Sequence, residues 1–247
     1  MKFGICTSID NLETAARLGF DYAELAVTAV HGMTEEQMKY LENSPIPLES
    51  FNVLFPGDFQ LITGEDEPIQ QYLDEAFSRI RRIGGRLVVF GSGSARRIPE
   101  GVTYREAFRR LMHVARMIGD AAKAYGLEVA IEPLRYGETN VINTLSEGAA
   151  LAAAADHENV GLLADSYHVW SNKEPVTRIE VIKDFKHIHI CSSDRKTLRE
   201  EELPLYREFI GELKKAGYTG RISVECGFND FEKEAAQALG ILHQLDE

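Results

Sequence analysis

The chain has 247 residues, of which 44% are hydrophobic, enough for one sizeable core and typical in length of an eightfold α/β barrel. Its formal net charge of −12 disfavours binding to nucleic acid or to an anionic membrane surface, because both require clustered Lys and Arg. We therefore expect a small-molecule substrate, with no nucleic-acid or membrane partner.

The first twenty residues lack the charged, apolar and small-residue sections of a secretory signal peptide, and no apolar run approaches about 18 residues. Cys6, Cys191 and Cys226 are few, odd in number and widely spaced. This usage is typical of a reducing compartment, so we expect free thiols and a cytoplasmic location.

Short runs of β-branched and aromatic residues alternate with helical patterns along the chain, which indicates repeated βα units around a parallel sheet. The predicted strands are residues 3–7, 22–27, 47–55, 86–92, 128–134, 160–168, 185–193 and 221–228. Eight successive units, with no Gly-rich phosphate fingerprint after the first strand, predict a TIM (β/α)8 barrel that forms a single domain over residues 1–247. An open doubly wound sheet is the alternative.

The clearest helix is predicted from Tyr104 to Tyr125, where apolar residues recur at steps of three and four. It stops at Gly126, a normal signal for a helix carboxyl end. Other glycines stand in the same place before later strands, namely Gly19, Gly84 and Gly217.

Polar side chains stand late in four of the predicted strands: Glu132 in the fifth, Asp165 and His168 in the sixth, His189 in the seventh and Glu225 in the eighth. Reactive side chains of TIM barrels project from the carboxyl ends of strands, so we expect these residues to meet at the barrel mouth. Three carboxylates and an imidazole would bind one divalent cation and leave positions for water or substrate oxygens. Mn²⁺ is our first choice, with Mg²⁺, Co²⁺ and Zn²⁺ as alternatives.

Four segments, AIEPLRYGETNVINT, LLADSYHVW, HIHICSSDR and ISVECGF, resemble the sugar isomerase and epimerase family of xylose isomerase-like TIM barrels, which includes D-tagatose 3-epimerase and D-psicose 3-epimerase. The resemblance spans the second half of the chain and is weaker in the first. It implies that Glu132, Asp165, His189 and Glu225 hold the metal, and that Glu132 and Glu225 are also the acid/base pair.

The resemblance also implies substrate-binding roles for Glu138, His168 and Arg195, which stand at the family's spacings after the first three ligands. The chain departs from the family pattern just before Glu138. The family often has Asn-Arg there, whereas this chain reads Arg135-Tyr136-Gly137 before Glu138. The identity of the sugar therefore stays open.

The implied activity is epimerisation or isomerisation of a ketose or a related polyhydroxy carbonyl compound through a metal-stabilised cis-enediolate, with Glu132 and Glu225 moving the proton. The alternatives are an aldose–ketose isomerase, a keto-polyol dehydratase and an endonuclease IV-like metal-dependent phosphodiester hydrolase. A barrel that had become a binding module would be expected to lack a ligand. Relatives often form dimers or tetramers, so a homodimer or homotetramer fits the resemblance.

Several residues near the predicted mouth receive other interpretations. We place His187 and His189 on opposite faces of the seventh strand, which assigns His189 to the barrel interior and His187 to the helix-facing side. Glu24 and Asn52 either support the site or form structural pairs. Residues 91–97, GSGSARR, are interpreted as a tight turn followed by a basic surface patch, because a phosphate-binding P-loop pattern is missing.

Overall fold

Eight parallel strands, paired in sequential order, close into a barrel in the computed structural model, which describes residues 1–246. The strands are β1 (Lys2–Cys6), β2 (Tyr22–Ala26), β3 (Leu48–Asn52), β4 (Leu87–Phe90), β5 (Glu128–Ile131), β6 (Val160–Asp165), β7 (Phe185–Ile190) and β8 (Arg221–Val224). The barrel closes where β1 pairs with β8, so the predicted TIM barrel is confirmed and the open sheet is excluded.

Helices follow the strands and cover the outside of the barrel. They are α1 (Leu12–Leu18), α2 (Val27–His31), α3 (Glu35–Glu42), α4 (Asp66–Arg82), α5 (Tyr104–Ala124), α6 (Leu145–Ala155), α7 (Ser166–Ser171), α8 (Arg178–Ile182), α9 (Leu203–Lys215) and α10 (Phe231–Asp246). Two short 3-10 helices span Ile9–Asn11 and Glu200–Glu202.

The helix boundaries follow the local signals in the sequence. The predicted helix at 104–125 is α5, which begins with a capping box between Thr103 and Glu106. Gly126 follows it with φ of 66°, in the left-handed region where glycine has no steric penalty. The other predicted helix-ending glycines also have positive φ values.

The predicted strands are too long at their carboxyl ends. The sixth was predicted to reach residue 168, but β6 ends at Asp165 because the Asp165 carboxylate accepts a hydrogen bond from the backbone N–H of Tyr167 at 2.7 Å and caps α7. His168 therefore lies in a helix rather than on a strand. Glu132 and Glu225 likewise lie one residue beyond β5 and β8.

Side chains alternate between two environments along the strands. The outward-facing set joins the helices in the main core, whereas Leu87, Val89, Ala130 and Leu163 form a separate cluster within the barrel. The rest of the interior includes a buried polar set at β2, β3, β7 and β8, made of Glu24, Ser50, His187 and Ser223. The barrel interior is therefore filled by apolar and polar side chains.

Within residues 1–246, every helix is too short or too polar to cross a bilayer. Cys6, Cys191 and Cys226 are free thiols, as predicted.

Candidate active site

Four polar residues converge where β5, β6, β7 and β8 end. Each stands two residues after an inward-facing position, so each continues the alternation that fills the barrel. Ligand atoms of Glu132, Asp165, His189 and Glu225 all lie within 4.8 Å of one another. The first three are buried and Glu225 is partly buried. The structure thus brings together all four residues that the sequence nominated as metal ligands.

The cluster contains polar atoms that no protein group satisfies. Oε1 of Glu132, Oδ2 of Asp165 and Nδ1 of His189 are buried without a hydrogen-bond partner among the described residues. Nδ1 of His189 lies 3.5 Å from Glu132 Oε1 and 3.5 Å from Glu225 Oε2. Buried polar atoms normally have partners, and convergent carboxylate and imidazole atoms without them suit a divalent cation. The donor set therefore fits a metal ion.

The electrostatics of the cluster support the same conclusion. Burial and the carboxylates of Glu225 and Glu132 raise the pKa of Asp165 well above its usual range. Burial opposes ionisation of Glu225, yet His189 and Arg195 outweigh it and lower the pKa of Glu225 to about 2. Crowded carboxylates of this kind repel one another until positive charge is supplied, which a bound cation would do.

His168, on α7, has a neutral imidazole ring whose Nε2 faces the cluster. Its Nδ1 accepts a hydrogen bond from the backbone N–H of Arg135 at 3.1 Å, so the ring proton is on Nε2. Nε2 lies 3.5 Å from Asp165 Oδ2 and 3.8 Å from Glu132 Oε1. Burial lowers the pKa of His168 to about 4, which keeps the ring uncharged near neutral pH. A substrate oxygen in the mouth could accept this proton.

Arg195 and Glu138 border the cluster on its open side. The Arg195 guanidinium contacts Glu225 Oε2 at 3.1 Å and Glu138 Oε1 at 3.4 Å, and lies 5.1 Å from the centroid of the Tyr167 ring. Arg135, which the sequence did not nominate, pairs with the same Glu138 oxygen at 2.8 Å. All three predicted substrate-binding residues therefore lie at the mouth.

The assignment of His187 to the helix-facing side is wrong. Residues two apart on a strand share a face, so His187 and His189 both point into the barrel. Nε2 of His187 and Nε2 of His189 lie 2.8 and 2.9 Å from the two oxygens of Glu24. The alternation in KHIHI contained this information. Glu24, for which support of the site and structural pairing were both open, is a buried partner of both histidines.

Two further residues, Asn52 and Arg96, support the glutamates at the site. Asn52 donates from Nδ2 to Glu225 Oε1 at 3.2 Å. The fully buried Arg96 donates to the backbone oxygens of Phe90, Glu132 and Ile142 at 3.1, 2.7 and 3.3 Å. The interpretation of GSGSARR as a turn with a surface patch is thus wrong for Arg96. Its burial depends on carbonyl groups that are distant in sequence, and no local signal indicates it.

Comparison with known proteins finds a family model and curated relatives that match most of the chain. Residues 12–245 match the model of the xylose isomerase-like TIM barrel family. A probable ketose 3-epimerase of Synechocystis sp. is 26% identical to this chain, and the match covers 96% of this chain and 87% of that protein. A D-psicose 3-epimerase of Agrobacterium fabrum is 24% identical, and the match covers 87% of this chain and 77% of that protein.

Solved structures share the fold. The D-psicose 3-epimerase of Clostridium cellulolyticum H10 with D-tagatose has a TM-score of 0.86, with 20% identity over all of both chains. A family 2 AP endonuclease of Brucella melitensis has a TM-score of 0.83, with 21% identity over 97% of this chain and 98% of its own. At these identities the likeness concerns the barrel alone.

Proposed function

The chain belongs to the xylose isomerase-like TIM barrel family of enzymes, and from this premise we propose that it is a metal-dependent ketose epimerase. The observation that carries the proposal is the convergence of Glu132, Asp165, His189 and Glu225 with buried atoms that lack partners. Relatives with named activities, including the D-psicose 3-epimerases, support epimerisation as the reaction type. Mn²⁺ is the proposed metal, because most of the ligand atoms are carboxylate oxygens.

Removing a proton next to a ketose carbonyl leaves negative charge on oxygen, and a bound divalent cation supplies the electrostatic stabilisation for that charge. Glu132 and Glu225 follow β5 and β8, which are separated by two strands, so a sugar carbon between the two carboxylates would expose one face to each. One glutamate would remove the proton and the other would deliver a proton to the opposite face. The result is inversion at that carbon.

The remaining side chains at the mouth orient the sugar in this scheme. His168 would donate its Nε2 proton to a substrate oxygen, since Nε2 faces the cluster and has no hydrogen-bond partner within residues 1–246. Arg195 would donate to a hydroxyl while holding Glu225 in place through its 3.1 Å contact. Glu138 would accept from a hydroxyl farther along the sugar.

The test is a screen of free ketoses with Mn²⁺-loaded protein, in which chromatography detects the epimer of each sugar. We expect one ketose pair to interconvert, and E132Q and E225Q to reduce turnover by on the order of 10²- to 10⁴-fold, the usual contribution of a general acid or base. Full turnover in either variant with the metal still bound would refute the two-glutamate scheme. Failure of the loaded protein on every ketose would refute the substrate class.

The same screen separates the two alternatives that act on sugars. A keto-polyol dehydratase would release water and yield a product of lower mass, and an aldose–ketose isomerase would yield an aldose. A phosphodiester hydrolase would convert no ketose, and a separate assay would detect it by cleavage of DNA at an abasic site. We propose a homodimer or homotetramer as the working state, which sedimentation velocity would test.

A further inference from the structure

Glu24, on β2, is a fully buried carboxylate that the proposed reaction does not use. Its Oε1 lies 2.9 Å from Nε2 of His189, the only imidazole among the four proposed ligands. The contact lies inside the barrel, where water cannot compete for either partner. This buried carboxylate therefore acts directly on a proposed ligand.

The contact decides which nitrogen of His189 faces the metal cluster. A carboxylate only accepts hydrogen bonds, so Nε2 carries a proton, and Nδ1 is the nitrogen whose lone pair a bound metal ion would use. Nδ1 is the atom that lies 3.5 Å from both Glu132 Oε1 and Glu225 Oε2. The other tautomer would put a proton where the metal must bind.

Glu24 is itself held in place by three further groups on the barrel wall. Its Oε2 accepts hydrogen bonds from Ser50 Oγ at 2.7 Å and Ser223 Oγ at 2.6 Å, and lies 2.8 Å from His187 Nε2. Donors from β3, β7 and β8 thus fix both the charge and the orientation of the carboxylate. A network satisfied at this many points is rigid, and it explains why these polar residues occupy the barrel interior.

We propose that Glu24 is the positioning residue of the metal centre, holding His189 in the tautomer and orientation that present Nδ1 to the cation. The proposal rests on the metal-dependent function proposed above. Outer carboxylates that accept from a ligating histidine raise its basicity and fix its ring, and their loss costs about 10- to 100-fold in metal affinity. We expect a loss of that size for E24Q.

Direct ligation by Glu24 is the competing role, since Cys6, Glu24 and His189 also lie close together. The hydrogen bonds of Glu24 disfavour it, because both Glu24 oxygens are already engaged by protein donors and one of them is paired with Nε2 of His189 itself. Glu24 therefore acts through His189.

The experiment measures Mn²⁺ binding to the apoprotein by calorimetry for wild type, E24Q, H189N and E49Q. Glu49 is the matched control, because it is a buried carboxylate on the neighbouring strand β3 that pairs with Lys2 and Arg221 instead of a proposed ligand. E24Q should bind at least about tenfold more weakly, and E49Q as tightly as wild type. Equal affinity for E24Q and wild type would overturn the proposal.

A spectroscopic readout separates positioning from a merely structural role. In Zn²⁺-loaded wild type, the proton on His189 Nε2 should give a low-field NMR resonance, since it is bonded to a carboxylate, and this resonance should move upfield in E24Q. An unchanged resonance would contradict the proposal. If E24Q failed to fold, E24D retains the charge but withdraws the carboxylate, and the same weakening of Mn²⁺ binding is expected.

The H189N variant separates failure of the proposed metal site from failure of the proposed role of Glu24. If H189N binds Mn²⁺ as tightly as wild type, the proposed metal site itself is wrong. If H189N loses binding while E24Q does not, the metal site stands and only the role of Glu24 is wrong.

Discussion

Gly91, directly after β4, lies against the carboxylate of Glu132 and allows a severe but local perturbation of the site. A Cβ atom added at Gly91 would sit 2.2 Å from Glu132 Oε2, whereas ordinary contacts of this kind are 3.4–4 Å. The carboxylate would have to retreat by about 1 Å to relieve the overlap. The substitution G91A therefore displaces a proposed catalytic glutamate without altering it.

The expected magnitudes follow from this geometry. The displaced group is the end of a flexible side chain, so the fold should lose no more than about 1–3 kcal/mol, the usual cost of overpacking. A misplacement of about 1 Å at a reacting centre costs on the order of 10²-fold in rate. We expect G91A to be folded, to bind the metal more weakly and to epimerise about 10²-fold more slowly.

The assay compares turnover and the free energy of unfolding of G91A with those of G240A. Gly240 lies in α10, and a Cβ there meets nothing within 4 Å, so alanine should stabilise the helix by about 0.5–1 kcal/mol and leave turnover unchanged. If metal-loaded G91A turned over at the wild-type rate, the position of Glu132 would not matter as argued. Loss of activity in G240A would show that a glycine-to-alanine change away from the site also lowers turnover, and the G91A result would then not report the position of Glu132.

Two further predictions concern the metal. Chelation should lower the melting temperature, and restoring Mn²⁺ at about 100 times its Kd should return about 2.7 kcal/mol of stability in a thermal scan; an unchanged melting temperature would mean that no metal binds the folded state. Above the pH at which Asp165 ionises in the unfolded chain, the raised pKa keeps a proton on Asp165 in the folded apoprotein. The stability that this proton contributes to the apoprotein is lost as the pH rises through the raised pKa. Metal binding must displace this proton, so Mn²⁺ affinity should strengthen as the pH rises, which calorimetry in buffers of different ionisation enthalpy would detect as proton release. An affinity independent of pH would contradict this.

Local patterns were sufficient to predict the barrel. The eight apolar runs are local signals, and the glycines that end α1, α4, α5 and α9 require only a left-handed backbone at one residue. The four proposed ligands could also be predicted from the sequence, because they lie at or just after strand ends. Closure of the sheet then brought them together without further information.

Features that depend on contacts distant in sequence were missed. The burial of Arg96 requires carbonyl groups from residues up to 46 positions away, and the end of β6 is fixed by the Asp165 cap rather than by hydropathy. The pairing of Glu24 with His189 spans 165 residues and becomes visible only when the barrel closes. His187 is different, since its face followed from the two-residue period of the strand.

The most direct test of the proposed epimerisation is a single turnover in D2O, with the Mn²⁺-loaded enzyme and the ketose that the screen identifies. If Glu132 and Glu225 act on opposite faces, the epimer formed should carry one deuterium at the inverted carbon, and E132Q and E225Q should form it on the order of 10²- to 10⁴-fold more slowly. An epimer formed without deuterium, or label found only at a neighbouring carbon of an aldose product, would contradict the two-glutamate mechanism.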